Sequence, residues 1–165
     1  MRTLKLAQPV AIRSTGGIHQ PLPLLFCSNR GGKPWIGVDL GEWKERFGVT
    51  DYELITVAAE IRGYLNRATE GGLTYDEDSS LPGTVAQIMC VTAVLEIRAH
   101  TRSYLRDKKE HDIHIRIFFS EPENRECILA LGVLAKDDYP LGKQQQNEFS
   151  SICQFRGDYW YSEIG

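Results

Sequence analysis

A strand–turn–strand pattern at residues 113–135 constrains the fold of this chain more than any other segment. Its first half alternates between two sets of residues: Ile113, Ile115, Ile117 and Phe119, and His114, Arg116 and Phe118. Successive side chains of a strand point to opposite faces of a sheet, so the alternation predicts a half-buried strand. The Glu-Pro-Glu-Asn segment at 121–124 favours a turn. The nearly continuous apolar run at 127–135 is typical of a central strand covered on both faces.

Helical signals lie on both sides of this predicted hairpin. Thr50 and Glu53 form a capping-box pattern, in which a hydroxyl and a carboxylate satisfy backbone N–H groups at the start of a helix. Apolar residues then recur at helical spacing as far as the glycine pair at 71–72, which predicts a helix between these points. Further predictions are strands at 35–39 and over most of 84–99, a helix at 41–47, and a helix at 143–154 that buries Phe149, Ile152 and Cys153.

Residues 1–34 differ in composition from the rest of the chain. They contain four of its seven prolines and two glycine pairs, all of which interrupt regular structure. The whole chain has 165 residues, which is enough to bury one core without metal or disulfides. We therefore expect an N-terminal extension or arm at 1–34 and a single α+β domain at 35–165.

Several classes of function find no support in the sequence. No apolar run approaches the roughly 18 residues that cross a bilayer, and the first residues lack the apolar region of a secretory signal, so we expect a cytoplasmic protein. The four cysteines are widely spaced and are expected to be reduced, with Cys153 the one to test for reactivity. Phosphate-binding loops, dinucleotide fingerprints and HExxH motifs are lacking. Neither a metal nor a cofactor is expected.

Basic residues concentrate in one stretch of an otherwise acidic chain. The formal net charge is −3 and the isoelectric point is near 5.8, which gives no overall attraction to nucleic acid. Residues 98–116 nevertheless contain twice as many basic as acidic residues: Arg98, Arg102, Arg106, Lys108, Lys109 and Arg116, against Asp107, Glu110 and Asp112. Any contact with RNA would have to depend on this local region.

Three strand patterns, taken in order, resemble the RelE/ParE superfamily of toxin–antitoxin toxins, in particular the phage-associated branch related to HigB. Leu95-Glu96-Ile97-Arg98 resembles a strand that ends in a Leu-Arg motif, and residues 114–119, His-Ile-Arg-Ile-Phe-Phe, resemble a Tyr-Arg-Ile-Phe-Phe strand. Residues 128–136 resemble the apolar strand that leads to a lysine before the last helix. The resemblance implies a small antiparallel sheet with two N-terminal helices packed on one face and a short C-terminal helix.

The resemblance also implies a toxin that cleaves mRNA, in association with the ribosome, and that an antitoxin protein inhibits. No membrane or direct DNA partner is implied. Cleavage without metal, by attack of a 2′-hydroxyl on the neighbouring phosphate, needs a base, an acid and cations around the phosphate. The candidate catalytic residues are Arg98, Arg116, Lys136 and His114, with His100 and His111 as further groups able to move protons. The candidate substrate-binding residues are Arg102, Arg106, Lys108, Lys109 and Tyr139.

The same residues also admit a non-catalytic interpretation. Arg98 and Arg116 fit the solvated face of a half-exposed sheet, and Lys136 stands next to Asp137, where a surface ion pair is equally natural. From Glu96 onward acidic residues outnumber basic ones, whereas phosphate binding favours basic proteins. The alternative function is therefore a non-catalytic protein-binding module, such as a phage- or plasmid-encoded inhibitor or an immunity protein.

Overall fold

A mixed β-sheet organises the protein. The computed structural model describes residues 2–78, 81–104, 110–137 and 142–164, and for residues 100–104, 110–113, 136–137, 143 and 164 it describes the backbone only. The helices in these ranges are α1 (Ile12–Thr15), α2 (Trp35–Phe47), α3 (Asp51–Thr69) and α4 (Lys143–Ile164). The strands are β1 (Leu24–Phe26), β2 (Thr74–Tyr75), β3 (Thr84–Gln87), β4 (Leu95–Tyr104), β5 (Glu110–Ser120) and β6 (Ile128–Asp137).

The predicted hairpin, β5–β6, lies at the centre of the sheet, whose strand order is β1-β6-β5-β4-β3-β2. The α+β class is confirmed, but the predicted small antiparallel sheet is wrong. The pairs β1–β6 and β2–β3 at the two edges are parallel, and the three inner pairs are antiparallel. The edge strands have three and two residues, which is too short to produce a period-two pattern in the sequence.

The predicted arrangement of helices is also wrong. The described residues form four helices rather than two N-terminal helices and one short C-terminal helix, and α4 extends over 22 residues. Within α4, Cys153 is buried as predicted, whereas Ile152 remains 49% exposed. Among the described residues, no helix combines the length and the apolar character needed to cross a membrane.

Residues 35–39, predicted as a strand, instead begin α2. The buried residues of α2 are Ile36, Asp39, Leu40 and Trp43, a spacing of three and four residues that belongs to one helical face. The five-residue window contained too little of this period to distinguish a helix from a strand. Residues 84–99, in contrast, do contain strands, but as two separate segments: the whole of β3 and the first half of β4.

The long helix α3 begins where the capping pattern predicts. The backbone N–H of Glu53 donates to the Thr50 hydroxyl oxygen at 3.2 Å, which satisfies one of the donors left open at a helix start. The Glu53 carboxylate accepts from the Thr50 hydroxyl at 2.8 Å. The two side chains therefore hold each other in place, and the carboxylate bonds to the hydroxyl rather than to the Thr50 backbone N–H.

The N-terminal segment shares the core of the sheet. Leu4 and Ala11 are fully buried, and β1 pairs in parallel with β6, with Leu24 opposite Ile128. The carboxylate of Glu121, itself fully buried in the turn after β5, accepts hydrogen bonds from the Ser14 hydroxyl at 2.6 Å and from the backbone N–H groups of Arg13 and Ser14. A buried carboxylate with three donors ties this segment to the central hairpin.

A buried ion pair continues the edge of the sheet where β1 ends. Both Nη nitrogens of the Arg156 guanidinium donate to the Asp39 carboxylate at 2.8 Å. Arg156 also donates to the Leu131 carbonyl at 3.1 Å, and Asp39 accepts from the Val133 N–H at 3.0 Å. The pair therefore satisfies backbone groups of β6 as a neighbouring strand would.

Gly132, between these two β6 residues, leaves room for the ion pair. A Cβ at this position would lie 2.5 Å from a guanidinium nitrogen of Arg156 and 2.9 Å from a carboxylate oxygen of Asp39. The guanidinium also lies over the ring of Trp35, 4.2 Å from its centroid. Through this cluster α2, β6 and α4 are held in one arrangement.

Replacing Arg156 with methionine should cost about 3–5 kcal/mol of unfolding free energy, because it leaves the Asp39 carboxylate buried without its partner. Urea denaturation followed by circular dichroism measures this loss. Lys44→Met is the control, since Lys44 pairs with Asp51 at the surface and should leave the unfolding midpoint unchanged. Similar midpoints for the two variants would contradict a structural role for the buried pair.

Candidate functional site

Five of the predicted site residues occupy neighbouring positions on one face of the sheet. Across the antiparallel pair β4 and β5, Arg98 is directly opposite Arg116. Two residues after Arg98 and two before Arg116, His100 is opposite His114. On the other side of β5, Lys136 of β6 is opposite His114. Residues two apart in a strand share a face and are about 6.6 Å apart. The sheet thus places a pair of arginine positions beside a row of two histidine positions and one lysine position.

The structure gives the position of only one of the predicted substrate-binding residues. Arg102 is opposite Asp112, one step beyond the two histidine positions and on the same face. Arg106, Lys108, Lys109 and Tyr139 lie outside the described residues. For Lys136, Arg102 and His100 the structure gives the position in the sheet, and for Arg98, Arg116 and His114 it gives the side chains as well.

Arg98 is held at both ends of its guanidinium. Its Nε donates to the Glu96 carboxylate at 3.0 Å, and its Nη2 donates to the backbone carbonyl of Glu77 at 2.8 Å. Glu96 is only 1% exposed and also accepts a hydrogen bond from the Gln146 amide of α4. Arg98 is therefore fixed in orientation between its own strand and the loop that follows β2.

Arg116 is less well satisfied than Arg98. Its Nη1 donates to the backbone carbonyl of Ile115 at 3.2 Å, while its Nε is buried and has no hydrogen-bond partner within the described part of the chain. Burial lowers the pKa of Arg116, and the positive charge of Arg98 acts in the same direction, whereas the negative charge of Glu96 opposes both. An anion between the two guanidinium groups would supply an acceptor and relieve their repulsion.

The first turns of α4 cover the opposite end of this face. The ring of Phe149 meets that of Phe118 edge to face, with centroids 5.2 Å apart, and Phe118 follows Arg116 by two residues on the same side of β5. A cleft of about 620 Å³ opens beside Arg98, between the loop after β2, the end of β3 and the start of α4. This volume is within the range of small-ligand sites.

Sequence reasoning did not assign a role to Glu96 or Gln146. Glu96 was visible as the acidic member of the Leu-Glu-Ile-Arg pattern, at the same strand parity as Arg98, which places both side chains on one face. Gln146 carries no comparable signal, because its contact with Glu96 joins residues 50 positions apart. No three His, Cys, Asp or Glu side chains of the described residues are grouped so as to hold a metal ion.

Comparison with protein-family models, with curated protein sequences and with solved structures finds no match to this chain. The resemblance to RelE/ParE toxins therefore remains a prediction from three strand patterns.

The cysteines differ sharply in their surroundings. None is in a disulfide; Cys27, Cys127 and Cys153 are buried, while Cys90 is exposed and lines the cleft beside Arg98. Burial raises the pKa of the Cys27 thiol to about 11 and raises those of Cys127 and Cys153 as well. Cys153, which we selected from the sequence for a reactivity test, is therefore buried in the core and inaccessible to reagents in solution.

Under native conditions one thiol per chain should react rapidly with a thiol-specific chromogenic reagent, because only the thiolate reacts and three thiols are buried with raised pKa values. Absorbance of the released chromophore counts the reacting groups. Cys90→Ser should abolish the rapid phase and Cys153→Ser should preserve it. A rapid phase that survives in Cys90→Ser would show that a buried thiol is accessible.

Proposed function

We propose that the protein is a metal-independent endoribonuclease and acts as the toxin of a toxin–antitoxin pair. The observation that carries the proposal is the register that sets Arg98 opposite Arg116 and, on the adjacent row, His100 opposite His114. Two guanidinium groups suit a phosphate, and two imidazoles suit proton transfer on either side of it, because histidine is the side chain whose ordinary pKa lies near neutrality. The resemblance of the strand patterns to RelE/ParE toxins supports the same chemistry.

The proposed reaction is a transesterification, in which phosphorus exchanges its bond to the 5′ oxygen for a bond to the 2′ oxygen. One imidazole, at position 100 or 114, accepts the proton of the 2′-hydroxyl, and the 2′ oxygen forms a bond to phosphorus. The bond from phosphorus to the 5′ oxygen breaks, and the other imidazole donates its proton to that oxygen. The products are a 2′,3′-cyclic phosphate and a 5′-hydroxyl. Directly opposite residues have Cβ atoms about 4.5–5.5 Å apart, which suits a pair acting on one phosphate.

The cationic groups have separate roles in this proposal. Arg98 and Arg116 bind the phosphate oxygens, whose negative charge increases as the new bond forms. Glu96 acts as a positioning residue, since its carboxylate accepts from the Nε of Arg98, which lines the cleft. Lys136, opposite His114, adds positive charge to the same row. On an acidic chain this local group would have to supply the attraction to mRNA, on the ribosome or free of it.

Arg116→Ala should lower the rate of RNA cleavage by roughly a hundredfold or more, because it removes a preorganised donor to the phosphate. Cleavage is measured with end-labelled RNA in the presence of a chelator, with and without ribosomes. Expression of the unaltered protein alone should arrest bacterial growth, and Arg116→Ala should relieve the arrest.

Arg62→Ala is the matched control, since Arg62 is exposed on α3 and distant in the chain from the arginine pair. It should arrest growth and cleave RNA like the unaltered protein. Normal growth on expression, together with intact RNA under both conditions, would exclude the ribonuclease and favour a binding function.

A second candidate function, a non-catalytic protein-binding module, is favoured by the outer face of α4. Ile152 and Phe155 are 49% and 62% exposed, and Tyr159 follows one helical turn later. Phe155 and Tyr159 line a small pocket of about 140 Å³ with Trp35. Apolar side chains at this spacing form a stripe of the kind that binds a partner protein.

If binding is the function, Phe155→Asp should abolish recovery of one stoichiometric partner in affinity purification from the native host. The unfolding free energy should change by no more than about 0.5 kcal/mol, because the side chain is exposed. Ile55→Asp, at an exposed position of α3, is the control that should retain the partner. Equal recovery with both variants would exclude the α4 stripe as the binding surface.

A further inference from the structure

The cleft beside Arg98 is lined differently from the row of basic positions next to it. Arg98 and Glu96 form part of its floor, and the loop after β2 contributes the carboxylates of Glu77 and Asp78. Three residues with amide side chains, Gln87, Gln146 and Asn147, also line the cleft. Carboxylates repel a phosphate, so a nucleotide bound here would place its phosphate on the arginine pair and its base in the cleft.

We propose that this cleft binds guanine, as the base of the nucleotide whose 3′-phosphate lies between Arg98 and Arg116. The inference rests on the proposed ribonuclease function and names the nucleotide that its site selects. The cleft has a volume of about 620 Å³, which is ample for a purine nucleoside.

Glu77 is the residue that would recognise the base, by accepting hydrogen bonds from it. Its carboxylate accepts a hydrogen bond from the Tyr75 hydroxyl, and its backbone carbonyl accepts from the Arg98 guanidinium at 2.8 Å. Burial and the hydrogen bond to Glu77 raise the pKa of Tyr75 to about 12, so the hydroxyl stays protonated and keeps donating. Glu77 lines the cleft, and the contact of its backbone carbonyl with Arg98 ties it to the group that would bind the phosphate.

The hydrogen-bonding edges of the four bases decide which one suits a carboxylate. A carboxylate has two acceptor oxygens and no donor. Guanine presents two adjacent donors, its N1–H and its N2 amino group, so both oxygens are satisfied at once. Adenine and cytosine present an amino group next to an acceptor nitrogen, and uracil presents one N–H between two carbonyl groups. Those acceptors would face a carboxylate oxygen and repel it.

The other side of the cleft complements the rest of the guanine edge. Guanine has one acceptor, O6, beside its two donors. The side-chain amides of Gln87 and Asn147, both partly buried at the cleft, have N–H groups that can donate to it. Met89, whose side chain is 79% exposed, adds an apolar contact for the face of the ring. The cleft therefore contains acceptors, donors and an apolar surface, the three kinds of group that guanine requires.

Binding of the four nucleoside 3′-monophosphates to the full-length protein tests this inference without requiring cleavage. Isothermal titration calorimetry should show guanosine 3′-monophosphate binding about tenfold or more tightly than the adenosine, cytidine and uridine compounds, as a bidentate contact implies. Glu77→Gln should remove most of this preference, because its amide group presents a donor to the donors of guanine. Inosine 3′-monophosphate, which lacks the N2 amino group, should lose much of the advantage.

Glu126→Gln, an exposed carboxylate of the β5–β6 turn, is the control and should leave all four affinities unchanged. Cleavage is measured in parallel on DNA strands that each carry a single ribonucleotide, and only the strand with guanosine should be cut rapidly. Equal affinity for all four nucleotides, or a preference that survives in Glu77→Gln, would overturn the guanine assignment even if RNA is cleaved. A guanine preference without cleavage would instead overturn the ribonuclease and leave the base site standing.

Discussion

The buried pair of Asp39 and Arg156 is the interaction on which the arrangement of the sheet and its helices depends. Strand β1 covers only the first residues of β6, so the next backbone groups of that strand need other partners. The carboxylate and the guanidinium provide them, and they bring α2 and α4 to the same point on the sheet edge. Because α4 is anchored there, its first turns lie over Phe118 and deliver Gln146 to Glu96. The geometry around Arg98 therefore depends on an ion pair that makes no contact with it.

The distribution of charge is compatible with the proposed anion site on an acidic chain. On this face of the sheet Arg98 is paired with Glu96, whereas Arg116 is half-buried and its buried Nε has no hydrogen-bond partner among the described residues. In the proposed site, the acidic residues of the neighbouring loop would restrict where a phosphate binds. Selectivity in such a site comes from a few fixed partners rather than from a broad positive surface, which distinguishes it from the electrostatic binding of strongly basic proteins.

The sequence allowed the central hairpin and the start of α3 to be predicted, because both depend on local signals. Alternating residues such as Ile115 and Arg116 identify a strand directly, and Thr50 and Glu53 are neighbours across one helical turn. The parallel edge strands were missed because their pairing joins distant residues, as between Leu24 and Ile128. Residues 35–39 were wrongly predicted as a strand, because five residues are too few to show the helical period of α2. The grouping of Arg98 with Arg116 was expected, but the roles of Glu96 and Gln146 follow from tertiary contacts that no sequence pattern records.

Contacts between the N-terminal segment and residues far along the chain also determine when the protein can complete its folding. The backbone N–H of Leu4 donates to Asp158 at 2.7 Å, β1 pairs with β6, and Glu121 accepts from Ser14. During synthesis the N-terminal segment emerges from the ribosome first, yet its partners are made more than a hundred residues later. Its apolar side chains cannot pack into the core until those partners have been made. Contacts between residues so far apart in the chain make folding slow. The face that carries Arg98 and Arg116 acquires its cover from α4 only after residues beyond 143 have been added, so the candidate site stays incomplete until that helix has formed.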